Sequence, residues 1–138
     1  MDIRVIIIDG NAHLRRLIGT VLAAVPVTEV IEARSPAAAA TLMTAHAPHL
    51  VIIDWSRDTT EGVLFVHRLR RGELGFAQTP VLALTASTHH AVLEQAWEAG
   101  VDDVTTKPVS AIEIIRHTSS LLRQLRHKQG HPPVQAAE

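Results

Sequence analysis

Short runs of branched apolar residues recur along the chain, and each is followed by a stretch whose apolar positions fall every three or four residues. The first run, Ile3 to Ile8, reads as a fully buried strand. Asn11 then caps a helix with apolar positions at Leu14, Leu17, Ile18, Val21, Leu22 and Val25, ended by Pro26. Val27 to Ala33 predicts a second strand. Ser35-Pro36, a cap and a first-turn proline, opens an alanine-rich helix to Ala47. Leu50 to Ile53 is a third strand that ends at Asp54. After a loop, "WSRDTTEG", the spacing of Val63, Val66 and Leu69 predicts a helix from about Thr60 to Arg71. Pro80 opens a strand over Val81 to Leu84 that ends at Thr85. Thr88 caps a helix to Ala99, with Gly100 as its terminator. Val101 to Thr105 is the fifth strand, ending near Lys107-Pro108. Ser110 caps a last helix with Ile112, Ile115, Leu122 and Leu125 inward.

Five strands alternating with five helices, the strands apolar on both faces, argue for a parallel sheet inside a three-layer α/β sandwich. The 138 residues suit one domain with a sizeable core. We assign residues 1–127 to that domain and 128–138, "KQGHPPVQAAE", to a flexible tail with few large apolar residues.

Charge and composition narrow the function classes. A formal net charge of -1 gives no general attraction to nucleic acid or to an anionic membrane. The chain has no cysteine, which removes thiolate catalysis and cysteine-ligated metals. No apolar run approaches the roughly 20 residues of a membrane span. Asp2 and Arg4 ahead of a short strand are not the layout of a signal peptide, and a cytoplasmic protein is expected. The pairs His46/His49 and His89/His90 lack further ligands at zinc spacing and are read as solvated. Arg68, Arg70 and Arg71 read as cations at a helix end, where the dipole favours them. Trp97 is read as partly buried in the core.

The candidate chemistry stands at the strand ends. Open parallel sheets bind ligands beyond the carboxyl ends of their strands. Four of the five predicted strands end in a polar group: Asp9, Asp54, Thr85 and Lys107. Two carboxylates, a hydroxyl and an ammonium suit a phosphoryl group and a hard cation. The carboxylates supply oxygen ligands for Mg²⁺. One of them is also a potential nucleophile.

With those residues in view, the chain resembles the receiver domain of bacterial two-component response regulators over roughly residues 3–126. Its layout is similar to that of the single-domain chemotaxis regulator. The matching motifs are Asp9 after strand 1, "VIIDW", "LALTA" and "TKP", in the family's order and spacing. The resemblance implies a flavodoxin-like five-stranded parallel sheet of order 2-1-3-4-5 with helices on both faces. It implies that Asp54 accepts a phosphoryl group from a histidine kinase or phosphotransfer protein. Asp9, Asp54 and the backbone carbonyl of Ser56 would hold Mg²⁺, Thr85 would bond a phosphoryl oxygen, and Lys107 would pair with the phosphoryl group. Ala86 would leave that group room, and the Lys107-Pro108 bond would be cis.

Three departures from the family pattern qualify these roles. Gly10 stands where a second acid is usual, so Mg²⁺ is expected to bind weakly. Val104 replaces the usual aromatic of strand 5. Arg57-Asp58 replaces a Met-Pro pair. The leading reading is a stand-alone receiver, monomeric or weakly dimeric, that is not an enzyme beyond its own phosphorylation and hydrolysis. It would signal by phosphorylation-dependent binding to a downstream target protein. An alternative is a degenerate receiver, kept as a phosphorylation-independent interaction module. A haloacid-dehalogenase-like phosphatase, suggested by "IIIDGN", would need an acid where Asn11 stands.

Overall fold

The computed structural model describes residues 3–27, 29–55 and 59–129, with side chains to Gln124. Its strands are β1 (Arg4–Ile8), β2 (Glu29–Ala33), β3 (Leu50–Asp54), β4 (Val81–Thr85) and β5 (Asp103–Thr106). Its helices are α1 (Ala12–Val21), α2 (Pro36–His46), α3 (Thr60–Arg70), α4 (His90–Ala99) and α5 (Ala111–Gln129). A 3₁₀ turn over Leu22–Ala24 follows α1. All strands pair in parallel in the order β2-β1-β3-β4-β5, as the resemblance implied.

Alternate residues of the three central strands feed two separate cores, one on each face of the sheet. Ile6, Ile8, Val51, Ile53, Val81 and Ala83 pack with residues of α2, α3 and α4. Val5, Ile7, Leu50, Ile52, Leu82 and Leu84 pack with residues of α1 and α5. The three central strands are buried on both sides, which is why they read as unbroken apolar runs.

The helix faces required correction at several positions. Leu17 is 53% exposed, because α1 buries the line through Leu14, Ile18 and Leu22 and Leu17 sits about 100° away from it. Ile112 is 59% exposed, because the inward line of α5 runs through Ile114, Thr118, Leu121 and Leu122. The side chain of Leu125 lies outside the described residues. Trp97, expected to be partly buried, is exposed.

Histidine and cap assignments also changed. His49, expected to be solvated, is buried, with its Nδ1 accepting the Arg4 N–H at 3.0 Å. Thr88 does not cap α4, whose N-cap is His89; the Ser87 hydroxyl accepts the His89 N–H instead. β5 starts two residues later than expected. The Val101 N–H closes the end of α4 by bonding Ala96 O at 3.1 Å, around left-handed Gly100 at φ 110°, and is unavailable to the sheet.

A guanidinium staple on the α3 side had no sequence signal. Arg70 donates to the carbonyls of Gly100, Ala77 and Thr79 at 2.7–3.0 Å. It also pairs with Asp102, which in turn accepts the Val81 N–H. Arg70 therefore ties the end of α3 to the starts of β4 and β5, beyond the dipole role expected of it.

Candidate functional site

Parallel pairing brings the carboxyl ends of the strands to one edge. Ile8 lies beside Ile53, and Asp54 beside Leu84, so the residues after β1 and at the end of β3 are neighbours. Asp9 is 4% exposed, a burial that carboxylates tolerate only with partners. It has them. Its N–H donates to Ala33 O at 3.0 Å. Its Oδ1 accepts the Asn11 N–H at 2.8 Å, an Asx turn. Its carbonyl accepts from Arg15 Nη1 at 2.6 Å. Asn11 then caps α1, its side chain accepting the Leu14 N–H.

Lys107 completes the cluster. It follows β5, its N–H donates to Thr85 O, and the peptide bond to Pro108 is cis. Its Nζ lies 3.1 Å from both Asp9 Oδ2 and Asp54 Oδ1. Burial pulls the pKa of this ammonium down. The bonds and charges of Asp54 and Asp9 more than offset that and hold it above the ordinary lysine value.

The structure thus joins Asp9, Asp54 and Lys107, and leaves Thr85 one strand further along. The Thr85 hydroxyl is buried in its own turn, accepting the Ser87 N–H at 3.1 Å and donating to Ser87 O at 3.3 Å. Ser56, the expected carbonyl ligand, lies outside the described residues, as do Arg57 and Asp58. Trp55, directly after Asp54, is buried with its ring against Gly62 of α3.

A cleft of about 520 Å³ opens over the acids. Two charged residues that the strand-end argument did not select, Arg34 and Glu61, line it with Asp9, Asp54 and Lys107. Arg34 directly follows β2, so extending the strand-end rule to the edge strand would have found it. Glu61 is the first-turn acid of α3.

The donor set fits a hard divalent cation. Asp9 and Asp54 present carboxylate oxygens to a single point, now bonded by one ammonium. Gly10 leaves open space beside them: the nearest atom to a Cβ built there is Arg34 O at 3.8 Å, and its φ is not in the left-handed region. Among the described residues, no group of three or more His, Asp or Glu is arranged to hold a metal. The set is a two-carboxylate one.

Residues 5–119 match the response regulator receiver domain. The chain is 29% identical to the phosphate regulon transcriptional regulatory protein PhoB of Pseudomonas aeruginosa, over 95% of this chain and 56% of that one. It is 30% identical to a protein-glutamate methylesterase/protein-glutamine glutaminase of Anaeromyxobacter dehalogenans, over 90% of this chain and 35% of that one. It therefore spans about half, or less, of the length of these relatives. Its fold superposes on a response regulator from Thermotoga maritima with a TM-score of 0.80 at 20% identity, covering 89% of this chain and 99% of that one. For the chemotaxis protein CheY4 of Vibrio cholerae the TM-score is 0.78 at 19% identity, covering 88% and 99%. The chain therefore belongs to the response regulator receiver domains of two-component signalling.

Proposed function

We propose that Asp54 is the phosphoacceptor of a phosphorylation-controlled switch, supplied by a histidine kinase or a phosphotransfer protein. The observation that carries this reading is the single ammonium of Lys107 held 3.1 Å from the carboxylates of both Asp54 and Asp9. An Asp54 oxygen attacks the phosphorus of a phosphohistidine. The P–N bond breaks as the P–O bond forms, and the departing imidazole nitrogen keeps the electron pair and takes a proton. The product is an acyl phosphate. Asp9 and Asp54 would hold Mg²⁺, with the Ser56 carbonyl a further ligand on the family resemblance alone, and the cation would neutralise charge on the phosphoryl oxygens. Gly10 makes that binding weak for the family. Lys107 exchanges its carboxylate bonds for a phosphoryl oxygen, stabilising charge as it develops.

Thr85 is the relay in this reading. Its hydroxyl gives up the Ser87 bonds to reach the phosphoryl group, and the β4–α4 turn moves with it. The partner reads the change on the α4-β5-α5 face, where Trp97 and Ile112 are exposed and His117 pairs with Asp103 between α5 and β5. Val104 leaves no ring to rotate there, so backbone movement of the Thr85 turn carries the signal.

Acetyl phosphate with Mg²⁺, borohydride trapping and mass spectrometry should label Asp54 alone. Label persisting in Asp54→Asn overturns the assignment. Gly10 and Val104 favour a second reading, a receiver fold used as an interaction module indifferent to phosphate. Wild type that takes no label and shows no change with beryllofluoride establishes that second reading.

A further inference from the structure

We propose that Arg15 is a positioning residue for the acid pocket: by holding the Asp9 carbonyl it fixes the direction in which the Asp9 carboxylate meets a cation. The proposal rests on the reading of Asp9 as a cation-holding acid. Arg15 lies on α1, and only 15% of its side chain is exposed, whereas its neighbour Arg16 is exposed. Arginine seldom accepts that burial without partners. Arg15 Nη1 donates to Asp9 O at 2.6 Å, and Nε donates to Glu32 Oε1 on β2 at 2.8 Å. The guanidinium fork is thus braced on the edge strand and aimed at the end of β1.

The Asp9 carbonyl belongs to the peptide that leads into Gly10. Glycine gives that peptide more rotational freedom than any other residue. Its orientation also sets the next N–H groups, including the Asn11 N–H that holds Asp9 Oδ1 at 2.8 Å. With the carbonyl tied by Arg15 and Oδ1 tied by Asn11, Oδ2 is left facing Lys107 and Asp54. Only one acid serves the end of β1 in this chain, so its aim cannot be shared with a neighbour at position 10. A charge-assisted bond from a planar fork restrains a peptide better than a flexible ammonium does.

The test uses Mn²⁺ alone, with binding followed by electron paramagnetic resonance and no phosphodonor present. Arg15→Met should bind Mn²⁺ about tenfold more weakly than wild type, the usual cost of losing an outer-shell partner. Arg15→Lys should recover part of that loss. Amide exchange of the Asn11 N–H, measured without metal, should speed up in Arg15→Met. Arg70→Met serves as the structural control: it removes a comparable staple far from the pocket, lowers stability, and should leave Mn²⁺ affinity unchanged. A folded Arg15→Met with wild-type Mn²⁺ affinity overturns the proposal while Asp54 labelling in wild type still stands. Wild type that binds no Mn²⁺ overturns the proposal and the cation reading of Asp9 together.

Discussion

Gly10→Asp puts the family's missing acid back into the pocket, and the charges around it set the direction of the effect. Backbone strain is absent: Gly10 is not left-handed, and a Cβ there meets nothing closer than Arg34 O at 3.8 Å. The new carboxylate faces Asp9 and Asp54 as like charges and Lys107 as an opposite one. At about 6 Å and an effective dielectric near 20, each such pair is worth about 3 kcal/mol. Two repulsions against one attraction leave about 3 kcal/mol of cost before screening. Partial exposure of the cleft reduces that to roughly 1–2 kcal/mol. Replacing glycine returns about 0.5 kcal/mol through the unfolded chain. The net cost of about 0.5–1.5 kcal/mol should make the variant melt roughly 2–6 °C below wild type in EDTA.

With Mg²⁺ the penalty shrinks. A third carboxylate should tighten binding at least about tenfold, equivalent to about 1.4 kcal/mol. At Mg²⁺ a hundredfold above its dissociation constant, the bound metal contributes about 2.7 kcal/mol, enough to bring the variant's melting point above its own EDTA value by more than wild type gains. Affinity is read from the fluorescence of Trp55, buried directly after Asp54, in a Trp97→Phe background that removes the exposed second tryptophan. Equal Mg²⁺ affinities, or a Gly10→Asp protein that is more stable in EDTA, would refute the charge argument.

Three further outcomes follow from the packing. Lys107→Met should keep the fold and lose the beryllofluoride-driven change. Because the folded pKa of Lys107 is raised, its stabilising contribution is complete below the ordinary lysine value and fades only as pH rises through the higher folded one, so the melting difference from wild type should be flat from about pH 7 to 9. Gly62→Ala should destabilise by about 1 kcal/mol and shift Trp55 emission, since the new Cβ would sit 3.0 Å from the indole ring and overpacking outweighs the gain in helix propensity; a higher melting point would reject this. Arg70→Met should cost about 3 kcal/mol in denaturant unfolding while the folded protein still labels on Asp54, since the staple lies at the opposite strand ends.

How much was legible in the sequence depends on whether a residue's role is local or assembled. The strands were legible because burial on both faces leaves unbroken apolar runs such as Val5–Ile8. Asp9, Asp54 and Lys107 were legible because parallel strands must end on one edge, so a polar residue closing each run has a predictable address. Leu17 and Ile112 were misassigned because an apolar residue beside a helical stripe fits the period nearly as well as one on it. His49 and Arg70 were unreadable for another reason. Their backbone partners in Arg4, Ala77, Thr79 and Gly100 carry no side-chain signature, and the side-chain partner of Arg70, Asp102, lies 32 residues away in sequence. Arg15 belongs to the same class, since it holds the Asp9 carbonyl and a carboxylate, Glu32, that lies 17 residues away in sequence.

The pocket's charge explains why a receiver can tolerate a glycine at position 10. Asp9, Asp54 and Lys107 sum to -1, whereas a second acid would make the sum -2 before any metal arrives. A buried set nearer neutrality costs less to fold, and its two carboxylates are already satisfied by one ammonium. The same economy works against phosphorylation. An acyl phosphate at Asp54, as proposed, would add negative charge, and with a weakly held cation more of the compensation would fall on Lys107 and on the direction of Asp9. Under the proposed function, the residues that fix those two, the Thr85 carbonyl behind the Lys107 N–H and the Arg15 guanidinium behind the Asp9 carbonyl, would therefore carry more of the switch here than in a pocket with two adjacent acids.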